Sequence, residues 1–179
     1  MRPPLFHRAY GAALERIPQP IVRVHDIDSG RTWRGQATIA VGSSLIAKAV
    51  RAAAGLPPAG DQVPVTVEMT PDGDGEIWRR RFGNFRLNTR VCAGRVPGTV
   101  DERLGPVTAT LRLAADETGV QQIPEGYRLL CVSLPKVLWP QLDVRESAEG
   151  GIYRFKVVMR LWGVLIQNYE GWLETTGGT

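Results

Sequence analysis

The segment EIWRRRFGNFRLNTRV, residues 76–91, decides the fold of this chain. Gly83 and Asn84 separate two runs rich in β-forming residues, a pattern typical of a tight two-residue hairpin. The turn and its neighbour strand predict these cross-strand pairs: Phe82 with Phe85, Arg80 with Leu87, Trp78 with Thr89, Val67 with Arg80, and Glu68 with Arg79. The segment therefore predicts antiparallel β-structure in the middle of the chain.

Alternation along this hairpin gives it two unlike faces. The apolar face carries one arginine, Arg80, among these residues: Trp78, Phe82, Phe85, Leu87, Thr89 and Val91. The opposite face carries Arg79, Arg81, Arg86, Asn88 and Arg90. Because an unpaired buried charge is strongly unfavourable, the sequence predicts a partner for Arg80 inside the protein.

Upstream of the hairpin, the sequence predicts two helices and two strands. Residues 4–16 have apolar side chains at helical spacing, and Pro18 ends this first helix. Residues 20–25 (PIVRVH) predict a short strand, and residues 32–41 alternate as a longer one. Gly35 falls on the apolar side of that strand, which indicates a bend or the close approach of another backbone.

The second helix is predicted to begin at Ser43 or Ser44, either of which can cap it. It runs to about Ala54, and Gly55 fits a left-handed stop. Its apolar stripe is predicted to face a sheet and consists of Leu45, Ile46, Ala49, Val50 and Ala53.

From Val63 onward, alternating segments predict antiparallel strands. These segments are residues 63–70, 99–104, 107–113, 120–123 paired with 127–134, 142–146, 152–161 and 164–174. The fold class predicted is α+β, with two helices from the N-terminal half packed on a strongly curved antiparallel sheet or partial β-barrel of about eight to ten strands. We expect a single domain over residues 1–179, with a core at 4–174 and a polar tail at 175–179.

Composition narrows the classes of function. Hydrophobic residues make up 43% and charged residues 22%, and the net charge is +4. The rings and most arginines of the hairpin lie on opposite faces, which disfavours nucleic acid as a partner. The first residues lead into an amphipathic segment instead of an apolar leader-like one, and no apolar run approaches the length of a membrane span, so we expect a cytoplasmic protein.

Motifs spread over most of the chain resemble a known family. They are Leu5-Phe6, Ile17-Pro18, Val24-His25, Gly55-Leu56-Pro57, Trp78-x-Arg80-x-Phe82-Gly83, Leu134-Pro135, Glu146, Tyr153-x-Phe155, Gly163 and Tyr169-x-Gly171. This pattern is similar to an uncharacterised bacterial domain, the domain of unknown function family 4166. That domain is often found C-terminal to NAD(P)-binding domains like saccharopine dehydrogenase, so the resemblance implies an NAD(P)-dependent reductase as a partner. The sequence itself has no GxGxxG after a strand.

The residues favour a polar cluster inside the curved sheet, made of His25, Arg80, Glu146 and Tyr169. Arg80 and Glu146 each fall on the apolar side of a strand, so we expect them to form a buried ion pair. Such a pair is either a structural pin or the polar end of an apolar cavity. The residues predicted to bind a small apolar or amphipathic molecule are Trp78, Arg80, Phe82, Glu146 and Tyr169.

Two other classes of function stay open at this point. One is a small enzyme of cyclase, isomerase or hydrolase type, with His25 as base beside Glu146 and with Arg80 stabilising negative charge. The other is a structural or partner-docking domain whose core is filled. Two histidines are too few for a histidine-based metal centre, so no metal is predicted, and the sequence points to no cofactor.

Overall fold

The structure is a computed structural model that describes residues 3–175. Three helical turns come first: α1 (Leu5–Tyr10), a 3₁₀ helix (Gly11–Arg16) and α2 (Gln19–His25). The single helix predicted over residues 4–16 is therefore divided, because Gly11 adopts a φ of 53° and ends α1. Beyond Thr175, the predicted polar tail lies outside the described residues.

The strand predicted over residues 20–25 is wrong, since this segment forms α2. Its β-branched residues suggested a strand, yet Pro20 occupies the first turn, where a helix tolerates proline. Ile21, Val24 and His25 then share one buried face. Burial against the end of the sheet outweighs the weak local preference for a strand.

Eleven strands and a third helix complete the chain. In order they are β1 (Arg31–Val41), α3 (Leu45–Ala54), β2 (Gly60–Asp72), β3 (Gly75–Phe82), β4 (Phe85–Ala93), β5 (Thr99–Leu104), β6 (Val107–Asp116), β7 (Gly119–Leu129), β8 (Val132–Ser133), a 3₁₀ turn (Lys136–Leu138), β9 (Gln141–Glu149), β10 (Ile152–Leu161) and β11 (Val164–Thr175). The α+β class is confirmed.

All strands except the two-residue β8 close into an antiparallel barrel. The order around it is β6-β5-β4-β3-β2-β1-β11-β10-β9-β7, and pairing of β6 with β7 completes the ring. The predicted hairpin register is confirmed throughout, including Arg80 opposite both Leu87 and Val67. Residues 120–123 and 127–134 are not a strand pair, because one continuous strand, β7, spans most of them and pairs with β6 across a bulge.

Gly35 allows β1 and β11 to approach closely. A Cβ atom on Gly35 would lie 1.8 Å from the carbonyl oxygen of Trp172. The predicted close approach of another backbone is therefore confirmed, and it occurs where the first and last strands of the chain pair.

The barrel has two different ends. Helices α1 and α2 cover the plugged end, where the β2–β3 and β9–β10 turns lie, and Arg8 Nη2 donates to the Asp74 carbonyl oxygen there at 2.8 Å. The β3–β4, β5–β6 and β10–β11 turns lie at the open end, together with the connection that contains α3. Within residues 3–175, no helix has the length and apolar character needed to cross a bilayer.

Helix α3 follows the predicted bounds but not the predicted face. Ser44 caps it, with Oγ accepting from the Ala47 amide at 3.1 Å, and Gly55 has a left-handed φ of 58°. The helix packs on β11 and buries Ala47. Leu45 is 83% exposed, and Ile46, Ala49 and Ala53 are also exposed, so the stripe predicted to face the sheet is wrong at every member except the half-buried Val50.

The cap on α3 gives a first prediction. Ser44→Ala is expected to lower the free energy of unfolding by about 1 kcal/mol, because the Ala47 amide loses its acceptor. The exposed neighbour Ser43 offers a matched control, and Ser43→Ala is expected to change stability little. Urea denaturation measures both, and equal effects of the two substitutions would contradict the capping role.

Candidate functional site

The Arg80 side chain lies inside the barrel, at the centre of a group of hydrogen-bonded polar side chains. Its Nη2 donates to Glu102 Oε1 at 3.0 Å, and its Nη1 donates to Thr89 Oγ1 at 2.8 Å. The guanidinium also lies 4.7 Å from the centre of the Trp78 ring, a cation–π contact. The side chains of Arg80 and Glu102 keep 15% and 25% exposure, so the pair is reached by solvent although it faces inward.

The predicted ion pair between Arg80 and Glu146 is wrong. Glu102, from β5, takes the place expected for Glu146. The signal for Glu102 was present in the sequence, because Val100 and Leu104 flank it at the spacing of one strand face. That strand is short and its alternation weak, whereas Leu142 and Val144 precede Glu146 at the spacing of one strand face.

Glu146 belongs to a second group at the plugged end. His25 Nε2 donates to Glu146 Oε2 at 2.7 Å, and Gln122 Nε2 donates to Glu146 Oε1 at 2.7 Å. His25 is 0% exposed and Glu146 4%. Phe6 stacks on the His25 ring at 4.1 Å, and Trp78 lies 5.7 Å from it. We call His25, Gln122 and Glu146 the plug triad.

Burial dominates the electrostatics around the plug triad. Tyr153 and Tyr10 lie close to Glu146, and desolvation raises the pKa of both hydroxyls well above the usual range, with the Glu146 charge adding to the effect. Desolvation also raises the pKa of the Glu76 carboxyl, although the indole of Trp78 donates to it at 2.8 Å and opposes the shift. This end of the barrel is tightly packed and shielded from bulk solvent.

The space inside the barrel between Arg80 and the open end is lined mainly by apolar side chains, and we call it the lumen. Phe82 and Tyr169 face it with their ring centres 5.7 Å apart. Burial raises the pKa of Tyr169 to about 12, while the nearby Arg80 cation opposes this shift. The Tyr127 hydroxyl is buried and has no hydrogen-bond partner among residues 3–175, and desolvation also raises its pKa.

Many inward-facing side chains of the lumen wall keep accessible surface. They share the inner face with Arg80 through the strand register and are only partly buried: Val63, Phe85, Leu104, Val107, Ala109, Leu142, Val144, Val157, Met159 and Tyr169. Several of them, including Phe85, Leu104 and Tyr169, also pack against the hydrophobic core. The wall toward the open end is therefore apolar and only partly buried.

The strand pairing that forms the barrel wall is short between β7 and β9. Only Gly119–Gln122 of β7 pairs with β9, so the two strands separate toward the open end. The segment between them places Trp139 against Tyr127, with ring centres 5.7 Å apart and nearly perpendicular. This contact lies beside the lumen and narrows the gap.

Two grooves lie on the outer surface of the described residues, and their linings include Glu146 of the plug triad in one case and Arg80 in the other. One, of about 820 Å³, runs over β7, β9, β10 and β11 and is lined by charged and polar side chains that include Arg145, Arg154, Lys156 and Glu170. The other, of about 310 Å³, lies on the arginine face of the β3–β4 hairpin. Both are open and polar. No three His, Cys, Asp or Glu side chains are placed to bind a metal in the part of the chain that the structure describes.

The predicted site residues therefore divide between two places. Arg80, Phe82 and Tyr169 face the lumen, whereas Glu146 and His25 lie in the plug triad, and Trp78 lies between the two. Sequence reasoning missed Glu102, Gln122 and Tyr127, and it placed Thr89 on the inner face without a role in the site. Gln122 and Tyr127 lie on one strand, β7, whose alternation is interrupted by Pro124 and Gly126.

Fold and interior together define a closed antiparallel β-barrel with one helix-plugged end and one open, apolar end. A family model described as "Domain of unknown function (DUF4166)" matches residues 17–173, and the chain belongs to this family. No curated protein matches the chain. Among solved structures, it is similar to a "secretary abundant heat soluble (SAHS) protein" from Ramazzottius varieornatus, at 10% identity and a TM-score of 0.42, over 82% of this chain and 93% of that one.

Proposed function

We propose that this protein binds a small amphipathic molecule in the lumen. The observation that carries the proposal is the partly accessible apolar wall inside a closed barrel, formed by inward-facing residues such as Val157, Met159 and Phe85. Small-molecule sites in proteins are typically apolar, with a few polar groups that fix the orientation of the ligand. Arg80, Glu102 and the Tyr127 hydroxyl supply those groups at the inner end of the lumen.

The charges at the inner end favour a neutral polar head group. Arg80 and Glu102 neutralise each other at 3.0 Å, so a ligand with a full charge would disturb their pairing. A hydroxyl or carbonyl group can instead accept from a remaining guanidinium N–H and meet the unpartnered hydroxyl of Tyr127. The ligand class proposed is therefore a long-chain alcohol, ketone or similar molecule.

The proposal predicts that filling the lumen removes binding. Val157 faces inward and its neighbour Val158 faces outward on β10, which provides a matched pair. In Nile red fluorescence titrations, Val157→Trp is expected to weaken binding about tenfold or more, since a bulky ring occupies the space of the ligand. Val158→Trp is expected to bind as the unsubstituted protein does.

Two results of the Nile red titrations would contradict the proposal. If Nile red fails to bind, or binds Val157→Trp and Val158→Trp equally, the lumen is not the site. Circular dichroism and thermal denaturation of both variants separate loss of the site from loss of the fold.

The enzyme alternative receives less support from the geometry. His25 and Glu146 do meet, but Phe6 and Trp78 enclose the imidazole, and a general base must reach a substrate proton. The NAD(P)-dependent reductase and the cytoplasmic location expected from the sequence stay predictions, as does the bacterial association of the family.

A further inference from the structure

The open end of the barrel carries an unusual concentration of exposed apolar side chains. They come from the start of α3, from the connection between β7 and β9, and from the β10–β11 turn. We call this set the apolar arc: Leu45, Ile46, Leu129, Leu130, Val132, Val137, Leu138 and Trp162. At the plugged end, the corresponding exposed large hydrophobic residue is Val96. Single exposed apolar residues are ordinary, but a group confined to one end indicates an interaction surface.

The apolar arc is continuous around the rim. The indole nitrogen of Trp162 donates to the Val137 carbonyl oxygen at 2.6 Å and joins the β10–β11 turn to the neighbouring connection. On the other side, the amide of Gly42 donates to the Ile166 carbonyl oxygen at 3.1 Å and ties the start of the α3 connection to β11. Strands β9, β10, β11 and β1 are consecutive neighbours, so their loops form one edge.

The backbone of Trp162 also adopts an energetically unfavourable conformation. Its φ is 52°, a left-handed value that glycine or asparagine adopts more easily than a large aromatic residue. The side chain is nevertheless 58% exposed, so packing inside the protein does not account for a tryptophan at this position. An indole at the tip of a turn is suited to the boundary between water and lipid, where one edge of the ring is polar and the rest apolar.

Positive charge accompanies the apolar arc. Five basic side chains lie on the same loops and strand ends, and none pairs with a carboxylate within residues 3–175: Lys48, Arg51, Arg103, Lys136 and Arg160. Asp61 and Asp143 also lie at this end, but each already has a hydrogen-bond donor, Thr38 and Arg145 respectively.

The turns of the plugged end have a contrasting charge. They carry several carboxylates: Asp72, Asp74, Asp116, Glu117 and Glu149. Asp72 pairs with Arg90 and Glu149 with Arg154, and the exposed Arg23 and Arg95 also lie at this end. Charges of both signs are therefore mixed at the plugged end, so a negatively charged surface would attract the open end more strongly.

We propose that the open end docks on an anionic lipid bilayer. The apolar arc would insert its side chains at the level of the lipid head groups, and the unpaired lysines and arginines would meet the lipid phosphates. A second copy of this chain fits less well, because two open ends facing each other would bring like charges together. Nucleic acid fits less well because the tips of the rim are aliphatic and carry one aromatic ring.

This inference stands apart from the proposed function. A bilayer could hold the rim whether or not the lumen takes a ligand, although docking would place the lumen mouth against the source of apolar molecules. Nile red titrations test the lumen, and vesicle binding tests the rim, so failure of one is distinguishable from failure of the other.

The apolar contribution is tested by vesicle flotation of the full chain. Vesicles of phosphatidylcholine mixed with phosphatidylglycerol are expected to bind the protein, and vesicles of phosphatidylcholine alone to bind it far less. Trp162→Glu is expected to reduce binding about tenfold or more, since a charged side chain replaces an inserted ring. Val96→Glu is the matched control, because Val96 is 59% exposed at the opposite end, and it is expected to bind normally.

The electrostatic contribution is tested with a second pair of variants. Lys48→Gln with Lys136→Gln is expected to weaken binding to the anionic vesicles about tenfold or more, and added salt to have the same effect. The control combines Arg23→Gln with Arg95→Gln, two exposed arginines of the plugged end. The proposal is overturned if unsubstituted protein does not float with anionic vesicles, if both pairs behave alike, or if Trp162→Glu abolishes a dimer seen by analytical ultracentrifugation while leaving vesicle binding unchanged.

Discussion

Replacing Glu146 with alanine is expected to cost about 3–5 kcal/mol in the free energy of unfolding, because it breaks a fully buried ionic and hydrogen-bonded group. The carboxylate accepts from His25 Nε2 and Gln122 Nε2, each at 2.7 Å. Both donors lie in the closely packed region beneath Phe6 and Trp78, where water does not readily replace the lost acceptor. Alanine would leave both donors unsatisfied and create a cavity as well.

The matched variants for this prediction are Glu146→Gln and Arg145→Ala. Glutamine retains the shape and one acceptor oxygen, so we expect a markedly smaller loss than with alanine. Arg145 is the neighbouring residue on β9, its side chain is 64% exposed, and its ion pair with Asp143 is superficial. Its removal is expected to cost less than about 1 kcal/mol. Chemical denaturation measures all three, and a loss at Glu146 no larger than at Arg145 would show that the plug triad does not stabilise the fold.

Replacing Arg80 with leucine is expected to weaken binding of a long-chain alcohol by about 10–100-fold, the range typical of a hydrogen bond to a charged group. Nile red displacement by the alcohol and by the alkane of equal length gives the measurement. The alkane offers no group for Arg80 to contact, so its affinity is expected to change little. The outward-facing neighbour Arg79 provides a control, and Arg79→Leu is expected to leave both affinities intact.

The double variant separates binding from stability at the same site. Arg80→Leu alone leaves Glu102 without its partner, which is expected to destabilise the protein by about 1–3 kcal/mol. Arg80→Leu combined with Glu102→Leu removes both charges, and a similar apolar volume often restores stability. We expect the double variant to recover stability without recovering affinity for the alcohol. Recovery of both would mean that Arg80 acts only as a structural residue.

The sequence determined local pairing well. A two-residue turn at Gly83-Asn84 leaves one register for its flanking strands, and that register placed Arg80 on the inner face. Gly35 indicated a close backbone contact because a glycine on an apolar strand face has few other uses. Each of these predictions depended only on residues that are next to one another in the chain, so the sequence alone was sufficient to make them.

Pairing between distant strands was harder to infer. Both Glu102 and Glu146 lie on the inner face of a strand, and only closure of the ring decides which one faces Arg80. Alternation fixes the side of the sheet but gives no position around the circumference. The face of α3 was lost for a similar reason: its leucine and isoleucine have no partner within residues 3–175, and a helical stripe cannot tell a buried surface from an exposed one.

Because the ring has an even number of strands, the chain enters and leaves the barrel at the same end. Strand β1 starts at the plugged end and β11 finishes there, and α1 lies on the same side. Pro3 and Thr175 therefore lie at the same end of the barrel, far from the mouth. A linker or a fused domain joined at either point would attach to the plugged end of the barrel and would leave the open end unobstructed.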